Sequence, residues 1–339
     1  MKIVTIKDVA RAAKVSISTV SRVLNDRQAV DPDTRANVLD VVKKMNFVRN
    51  QSASKLKMQG VSAIGVILRG RRNAFLTDLA ESVLEAGHGS GFQFILEIID
   101  FKASQVPAAR QLYLEHKLQG IIFLGANVDE RDREDEMRAL DLLQVYATVD
   151  ASHLGNPCIS SVSIDNRKAG RTAVEKLLEL GHTRIALLGY FSKGLDSTGL
   201  RLYGALDALE AAGIEYDPTL YVETGFSLAE GYNSARALLE AGKQFTAVFA
   251  AGDIMAIGAI KAIREAGLRV PEDVSVIGFD GIELGQYLYS PLTTLRQPSE
   301  IIAKESVRLM RDLIQGKPAT HKSVDFEFIP GGSIASVKH

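Results

Sequence analysis

The sequence predicts an α/β protein: an all-helical N-terminal head containing a helix-turn-helix, followed by two doubly wound parallel-sheet subdomains. Three observations predict it. Residues 1–60 carry twelve Lys or Arg against five Asp and no Glu, a balance of +7 that leaves −8 for the rest of a 339-residue chain whose formal net charge is −1. Residues 14–26 read KVSISTVSRVLND, a helical apolar spacing crowded with small hydroxyls. From Val61 onward, short apolar runs alternate with helical segments, the pattern of parallel strands covered on both faces.

In the head, Thr5-Ile6-Lys7-Asp8 has the Thr-x-x-acid pattern of a helix N-cap, and a short helix through Ala13 follows. Ser16 is placed to cap a second helix running to about Asn25. At about 100° per residue, Val20, Val23 and Leu24 share an inward arc, with Ile17, Ser18, Ser21, Arg22 and Asn25 on the opposite side. The tight Lys14-Val15 turn between the two makes a helix-turn-helix. Asp31-Pro32 opens a third helix, with Pro at its first position and an apolar stripe of Val38, Leu39, Val42 and Met45. The head is then complete by Phe47, within residues 1–48. A hydroxyl-rich helix face in a basic surround suits double-stranded DNA: Ser and Thr bond phosphates, and Arg bonds guanine edges in the major groove. The alternative is that the hydroxyls bond back to their own helix. Residues 49–60, RNQSASKLKMQG, are polar, basic and end in glycine, as a linker would.

The body, residues 61–339, reads as strands SAIGVIL, FQFILEII, GIIFLG and VYATV with helices over 75–88, 104–117 and 132–143. A second series has strands SVSID, RIALLG, LYVET, AVFAAG and VSVIGFD with helices over 166–180, 198–212, 227–241 and 252–266. More than ten strands suggests two sheets rather than one. Ligands in such sheets bind at the carboxyl ends of the strands, where two halves face each other.

The stretch TIKDVARAAKVSISTVSRVLND closely resembles the head of the lactose-repressor/galactose-repressor family of bacterial transcription regulators. The likeness continues through IDNRKAGRTAVEKLLELGHTRIALLG, GDIMAIGAIKAIREAGLRVPEDVSVIGFD and LTTLRQP, so it spans essentially the whole chain. The resemblance implies that Ile17, Ser18 and Arg22 read bases, while Thr5, Ser16, Thr19, Ser21 and Asn25 position phosphates. Residues 49–60 become a hinge helix whose Leu56 wedges into the minor groove. Ser54-Lys55 stands where the family usually has Arg-Ser. The body becomes an effector-binding core of periplasmic-binding-protein type, with crossovers near residues 160 and 290 and a C-terminal return strand. By motif match Phe75, Asp150, Arg201, Phe226 and Asp280 face its cleft. Arg offers a rigid fork of donors, Asp accepts from vicinal hydroxyls and Phe gives a ring face, which suits a sugar or nucleoside. Equally, Asp280 could cap the next segment and Arg201 could form a surface ion pair.

One feature lies outside the resemblance. Strand 1 ends in LRGRRNAF, which puts Arg69, Arg71 and Arg72 near the cleft mouth. Two readings stand: recognition of an anionic effector such as a sugar phosphate, or a solvated charge cluster.

The expected function is a sequence-specific transcriptional repressor, less often an activator, whose operator affinity is set by a sugar-like effector. A soluble sugar-binding protein with no regulatory role is the alternative. Dimer symmetry is expected because one recognition helix reads one half of a palindromic operator. No catalytic residue, metal or cofactor is expected: GxGxxG, GxxxxGK[ST], HExxH and GxSxG motifs are missing. Cys158, the single cysteine, reads as a structural thiol. The N-terminus is interrupted by Asp8 and Arg11 where a signal peptide needs an apolar run, and no run of about 18 apolar residues exists, so the expected location is cytoplasmic with no membrane partner.

Overall fold

The computed structural model describes residues 6–24, 30–45, 62–128, 142–191 and 196–337. Thr5, Asn25, Phe47, the segment 49–60 with Leu56, and residues 132–141 of the helix expected over 132–143 lie outside the described residues; at the end of that expected helix Leu142 is irregular and Leu143 already begins a strand.

The head holds α1 (Ile6–Ala12), α2 (Ile17–Leu24) and α3 (Pro32–Lys44). Lys14 takes a left-handed conformation (φ 55°), which turns the chain between α1 and α2. Asn37 Nδ2 secures that turn by donating to the Ala13 carbonyl at 3.0 Å. Asp31 caps α3, accepting from Thr34 N at 3.0 Å, with Pro32 behind it as the spacing predicts. The core is small: Val9, Ala10, Ala13, Val20, Val23 and Val38 are buried. Leu39 departs from expectation. It is 46% exposed, because the inward stripe of α3 runs through Val38, Val41, Val42 and Met45, and Leu39 sits one residue's rotation away from Val38.

The body has two sheets, six-stranded among the described residues. The first contains β1 (Ser62–Arg69), β2 (Phe92–Ile99), β3 (Gly120–Leu124), β4 (Leu143–Ala147), β5 (Ile159–Ser163) and β11 (His321–Ser323), in the order β11-β5-β4-β3-β1-β2. The second contains β6 (Ile185–Gly189), β7 (Tyr221–Glu223), β8 (Ala247–Ala250), β9 (Ser275–Asp280), β10 (Thr293–Arg296) and β12 (Glu327–Ile329), in the order β12-β10-β9-β8-β6-β7. Every pairing is parallel except β10–β12. The central strands are buried along their whole length, as strands covered on both faces must be.

Helices α4 (Ala74–Ala86) and α5 (Gln105–His116) cover the first sheet; α6 (Asn166–Glu179), α7 (Ser197–Ala211), α8 (Leu228–Glu240) and α9 (Asp253–Glu265) cover the second. Two helix pairs approach closely through glycine. A Cβ on Gly170 of α6 would fall on the Arg201 carbonyl of α7, and one on Gly204 of α7 would fall on the Arg167 carbonyl of α6. Gly231 and Gly258 bring α8 and α9 together in the same reciprocal way.

The chain crosses between subdomains after β5, after β10 and again after β11. The first two fall close to the expected positions near 160 and 290, whereas α10 (Ser299–Ile314) lies beyond the expected helix series, which ends at 252–266. That helix returns to the first sheet and buries Ile302, Ala303, Leu309, Met310 and Leu313 there, a spacing that was legible. In place of the one expected C-terminal return strand there are two short ones, β11 in the first sheet and β12 after it in the second. In both sheets the first strand is flanked by the second and third, a switch point at whose carboxyl end a crevice opens.

Candidate functional site

On the head, α2 turns its apolar side inward through Val20 and Val23. Ser16, Ser18 and Arg22 are exposed and Thr19 and Ser21 half-exposed. Ile17 is 44% exposed, a large apolar side chain at the start of a helix that gains nothing from water. Ser16 Oγ accepts from Thr19 N at 3.1 Å and pairs with the Ser18 and Thr19 hydroxyls at 2.7 and 2.8 Å. The hydroxyls are thus satisfied within a small exposed cluster at the helix start, where a phosphate oxygen could replace one neighbour for another. An apolar tip beside donors is also what a thymine methyl and its flanking backbone require.

The body's cleft lies between the carboxyl ends of the two sheets and encloses about 540 Å³, part of it open to solvent. The first subdomain contributes Arg69, Asn73, Phe75, Phe101 and Thr148; the second contributes Tyr190, Asp196, Ser197, Arg201, Phe226 and Asp280. Arg201 and Asp280 form its floor. Arg201 is 4% exposed on α7, its Nη1 3.2 Å from Asp280 Oδ1 and 2.8 Å from the Ala251 carbonyl. Its Nε donates to Asn166 Oδ1 at 2.9 Å, and its guanidinium lies 3.8 Å from the Phe279 ring centre. Asp280 also accepts from Gln297 Nε2 at 2.7 Å. Burial pushes the Asp280 carboxyl up to about 6, with Arg201 and the Gln297 bond opposing that rise. Burial likewise pulls the Arg201 pKa down, and Asp280 is the chief opposing charge.

Behind the floor sits Asp253, fully buried, whose Oδ2 accepts from Gly281 N and Ile282 N at 2.7 and 2.8 Å and whose Oδ1 accepts from Thr294 Oγ1 at 2.6 Å. Burial and the nearby Asp280 raise it to about 8. These bonds hold the turn after β9, including Asp280 itself at a φ of 106°, a strained value for a residue with a side chain.

Of the residues expected in the cleft, Phe75, Arg201, Phe226 and Asp280 line it. Asp280 caps nothing, and Arg201 is in a buried rather than surface pair. Asp150 is corrected. It is exposed outside the cleft lining, and its carboxylate accepts from Ser152 N at 2.9 Å, Ser152 Oγ at 2.8 Å and Ser161 Oγ at 3.3 Å. Partial burial opposes those bonds, which nonetheless hold its pKa below the ordinary carboxylate value. The cleft position at this strand end belongs to Thr148, left-handed at φ 79°. Arg71 and Arg72 are corrected too: both are exposed on the turn after β1 and outside the cleft lining, while Arg69, two residues earlier, lines it. Asn73, Phe101, Tyr190, Asp196 and Ser197 were missed. Each follows or caps an element at the carboxyl edge of a sheet, so position relative to strand ends could have found them.

A helix-turn-helix head and a two-sheet core, with a polar floor and aromatic walls between the sheets, define a DNA-binding regulator whose body carries a cleft of small-molecule size. The comparisons give the family. Residues 5–50 match the model for bacterial regulatory proteins of the lacI family, and residues 174–334 match a periplasmic binding protein-like domain. The HTH-type transcriptional regulator MalR of Clostridium butyricum is 36% identical over 311 residues, covering 91% of this chain and 92% of its own length. A complex of the transcriptional regulator CelR with cellobiose is 30% identical with a TM-score of 0.70, covering 97% of this chain and 99% of that one. The Lac repressor dimer bound to operator and an anti-inducer is 26% identical with a TM-score of 0.70, over 99% and 100% of the two chains. The chain belongs to the lacI family of bacterial regulatory proteins and is a DNA-binding transcriptional regulator, not an enzyme. No helix among the described residues is long and apolar enough to cross a membrane.

Proposed function

We propose that the protein is a cytoplasmic homodimeric repressor that binds a palindromic operator through its heads and releases or grips it according to a neutral sugar held in the cleft. Ile17, Ser18 and Arg22 read bases; Thr5, Ser16, Thr19, Ser21 and Asn25 position the backbone; residues 49–60 form the hinge, with Leu56 entering the minor groove. The observation that carries the effector reading is the Arg201–Asp280 pair, buried at the floor of an aromatic-walled cleft. Arg201 Nε and Nη1 are occupied by protein partners, which fixes the guanidinium plane and presents a polar edge toward the cleft. Asp280 offers an acceptor beside it, so vicinal hydroxyls find donor and acceptor side by side. Phe75 and Phe226 offer apolar faces to the C–H side of a sugar ring.

A neutral ligand is favoured over an anion. The two arginines of the lining face two aspartates, and Asp196 is committed to capping α7 through Gly199 N at 2.7 Å. Relatives support the sugar class: the CelR structure holds cellobiose, and the Lac repressor structure is a dimer on its operator. Closure of the cleft around the ligand would change the spacing of the two heads in the dimer, and so the operator affinity.

Thermal unfolding against matched sugars tests the reading. At about a hundred times its dissociation constant a ligand adds roughly 2.7 kcal/mol, a shift of several degrees. Cellobiose or ribose is expected to raise Tm in the wild type and to lose that effect in R201K. Stabilisation by sugar phosphates alone would overturn the neutral-ligand reading.

A further inference from the structure

A polar cluster outside the cleft joins three elements of the first subdomain. His321 opens β11, and the parallel register sets it beside Ser161 of β5. Its Nδ1 lies 2.8 Å from Ser161 Oγ. Ser161 is 1% exposed, and the same oxygen accepts from Ala151 N at 3.1 Å and lies 3.3 Å from Asp150 Oδ1. Asp150 and Ala151 belong to the turn after β4. The two strands are fastened beside this cluster as well: Thr320 N donates to Ser160 Oγ at 3.0 Å, and Ser161 N donates to the Thr320 carbonyl at 3.1 Å.

A serine hydroxyl has one hydrogen to give and two lone pairs to offer. Ala151 N takes one of the lone pairs of Ser161. When the His321 ring is neutral with Nδ1 bare, Nδ1 and Asp150 Oδ1 contest the single hydrogen, and the shorter contact favours Nδ1. An imidazolium carries hydrogen on both nitrogens. Nδ1 must then donate to the second lone pair, and the serine hydrogen goes to Asp150. The contested contact becomes a chain from imidazolium through hydroxyl to carboxylate, with opposite charges at its ends. Histidine is the side chain whose ordinary titration falls between about pH 5 and 8. Asp150 is the carboxylate that faces His321. Lys322, next on β11, reaches instead to Glu305 of α10 at 2.9 Å. His153, in the 3-10 turn Ser152–Leu154, is exposed, and Cys158, just before β5, is half-buried.

The turn that holds Asp150 also touches the second subdomain. Its Thr148 carbonyl accepts from Ser197 Oγ, at the start of α7, at 2.6 Å and from Asn166 Nδ2, on α6, at 3.3 Å. Val149 and Ala151 between and beside them are buried, so residues 148–151 are packed as one piece. We propose that His321 is a proton sensor: its protonation turns the Ser161 hydroxyl onto Asp150, firms the turn after β4, and so strengthens the hold of Thr148 on α6 and α7. The contact between the subdomains then responds to pH through a route separate from the Arg201–Asp280 floor.

Hydrogen–deuterium exchange of the full chain at pH 6 and pH 8, corrected for intrinsic rates, tests this in wild type and in H321N. Asn keeps a hydrogen-bonding group beside Ser161 and does not titrate. On going to pH 6 the wild type is expected to gain at least about threefold in protection over residues 150–152 and 197–200, and H321N to gain none. Equal gains in the two proteins would overturn the proposal, because the sensor would then be another group. A gain at 150–152 with none at 197–200 would overturn the transmission to the second subdomain. D150N keeps the His321–Ser161 contact but removes the charged end of the chain, so its gain should also vanish. A D150N protein that responds like the wild type would remove Asp150 as the receiver and the relay with it.

Discussion

Asp280 is a residue whose surroundings pull in two directions. Burial favours its neutral form, and Arg201 and Gln297 favour its charge, with the balance near pH 6. Its folded pKa lies above the usual carboxylate value of about 3.9, so the folded state binds more protons in that interval and the Asp280 contribution to stability falls as pH rises from about 4 to 6. Sugar binding should run the opposite way. A hydroxyl donates to the carboxylate better than to the acid, so acidification from pH 7.5 to 5 should weaken cellobiose binding by about tenfold, one pKa unit's worth of protonation. In D280N titration calorimetry should find weak binding with a nearly flat pH profile; a wild-type profile equally flat would remove Asp280 from the site. Arg201 and Asp280 were legible in sequence because each sits in a motif whose fold position is fixed. Asp150, Arg71 and Arg72 stand outside the cleft lining because two residues of turn decide whether a charge points into a cleft or into water. Thr148 with its positive φ, and the tight turn at Gly70 (φ 132°), settle both cases in backbone geometry that spacing does not encode.

At the scale of elements, the α6–α7 crossing is what delivers Arg201 to the floor. Gly170 lies against the Arg201 carbonyl and Gly204 against that of Arg167, so neither position has room for a methyl. In G170A the two helices must part by a substantial fraction of an ångström. The expected cost is about 1–3 kcal/mol, read as a lowered urea midpoint. Because Arg201 rides on the displaced helix, sugar affinity should fall along with stability. A G170A protein with unchanged midpoint would mean the helices already have slack. The strand–helix alternation was readable almost to the residue, since parallel strands buried on both faces leave continuous apolar runs. α10 lies beyond the expected helix series although its stripe is regular, and Leu39 faces water although it neighbours the core position Val38. β11, reading His-Lys-Ser with its ends exposed, gives no pattern that would mark it as a strand. It exists because β5 offers it an edge.

At the scale of the molecule, charge is divided: +7 in the first sixty residues, −8 in the remainder. The acidic body repels a duplex that the basic head attracts, which orients the encounter before any base is read. Operator binding should therefore be steeply salt-dependent. A dimer making about six phosphate contacts would lose roughly a thousandfold in affinity between 50 and 200 mM salt. A mobility-shift series with less than a tenfold change would argue against groove docking by two heads.

The three crossovers carry a consequence for synthesis. The second subdomain is threaded through the first: β6 to β10 are made before α10 and β11 return to complete the earlier sheet, and β12 closes the later one last of all. On the ribosome neither sheet is whole until residues 321–329 have emerged, so the nascent chain carries two unfinished edges through most of its translation. For the same reason no single cut in the sequence separates the subdomains. They are built as one knot of chain, and they should be lost as one when it unfolds.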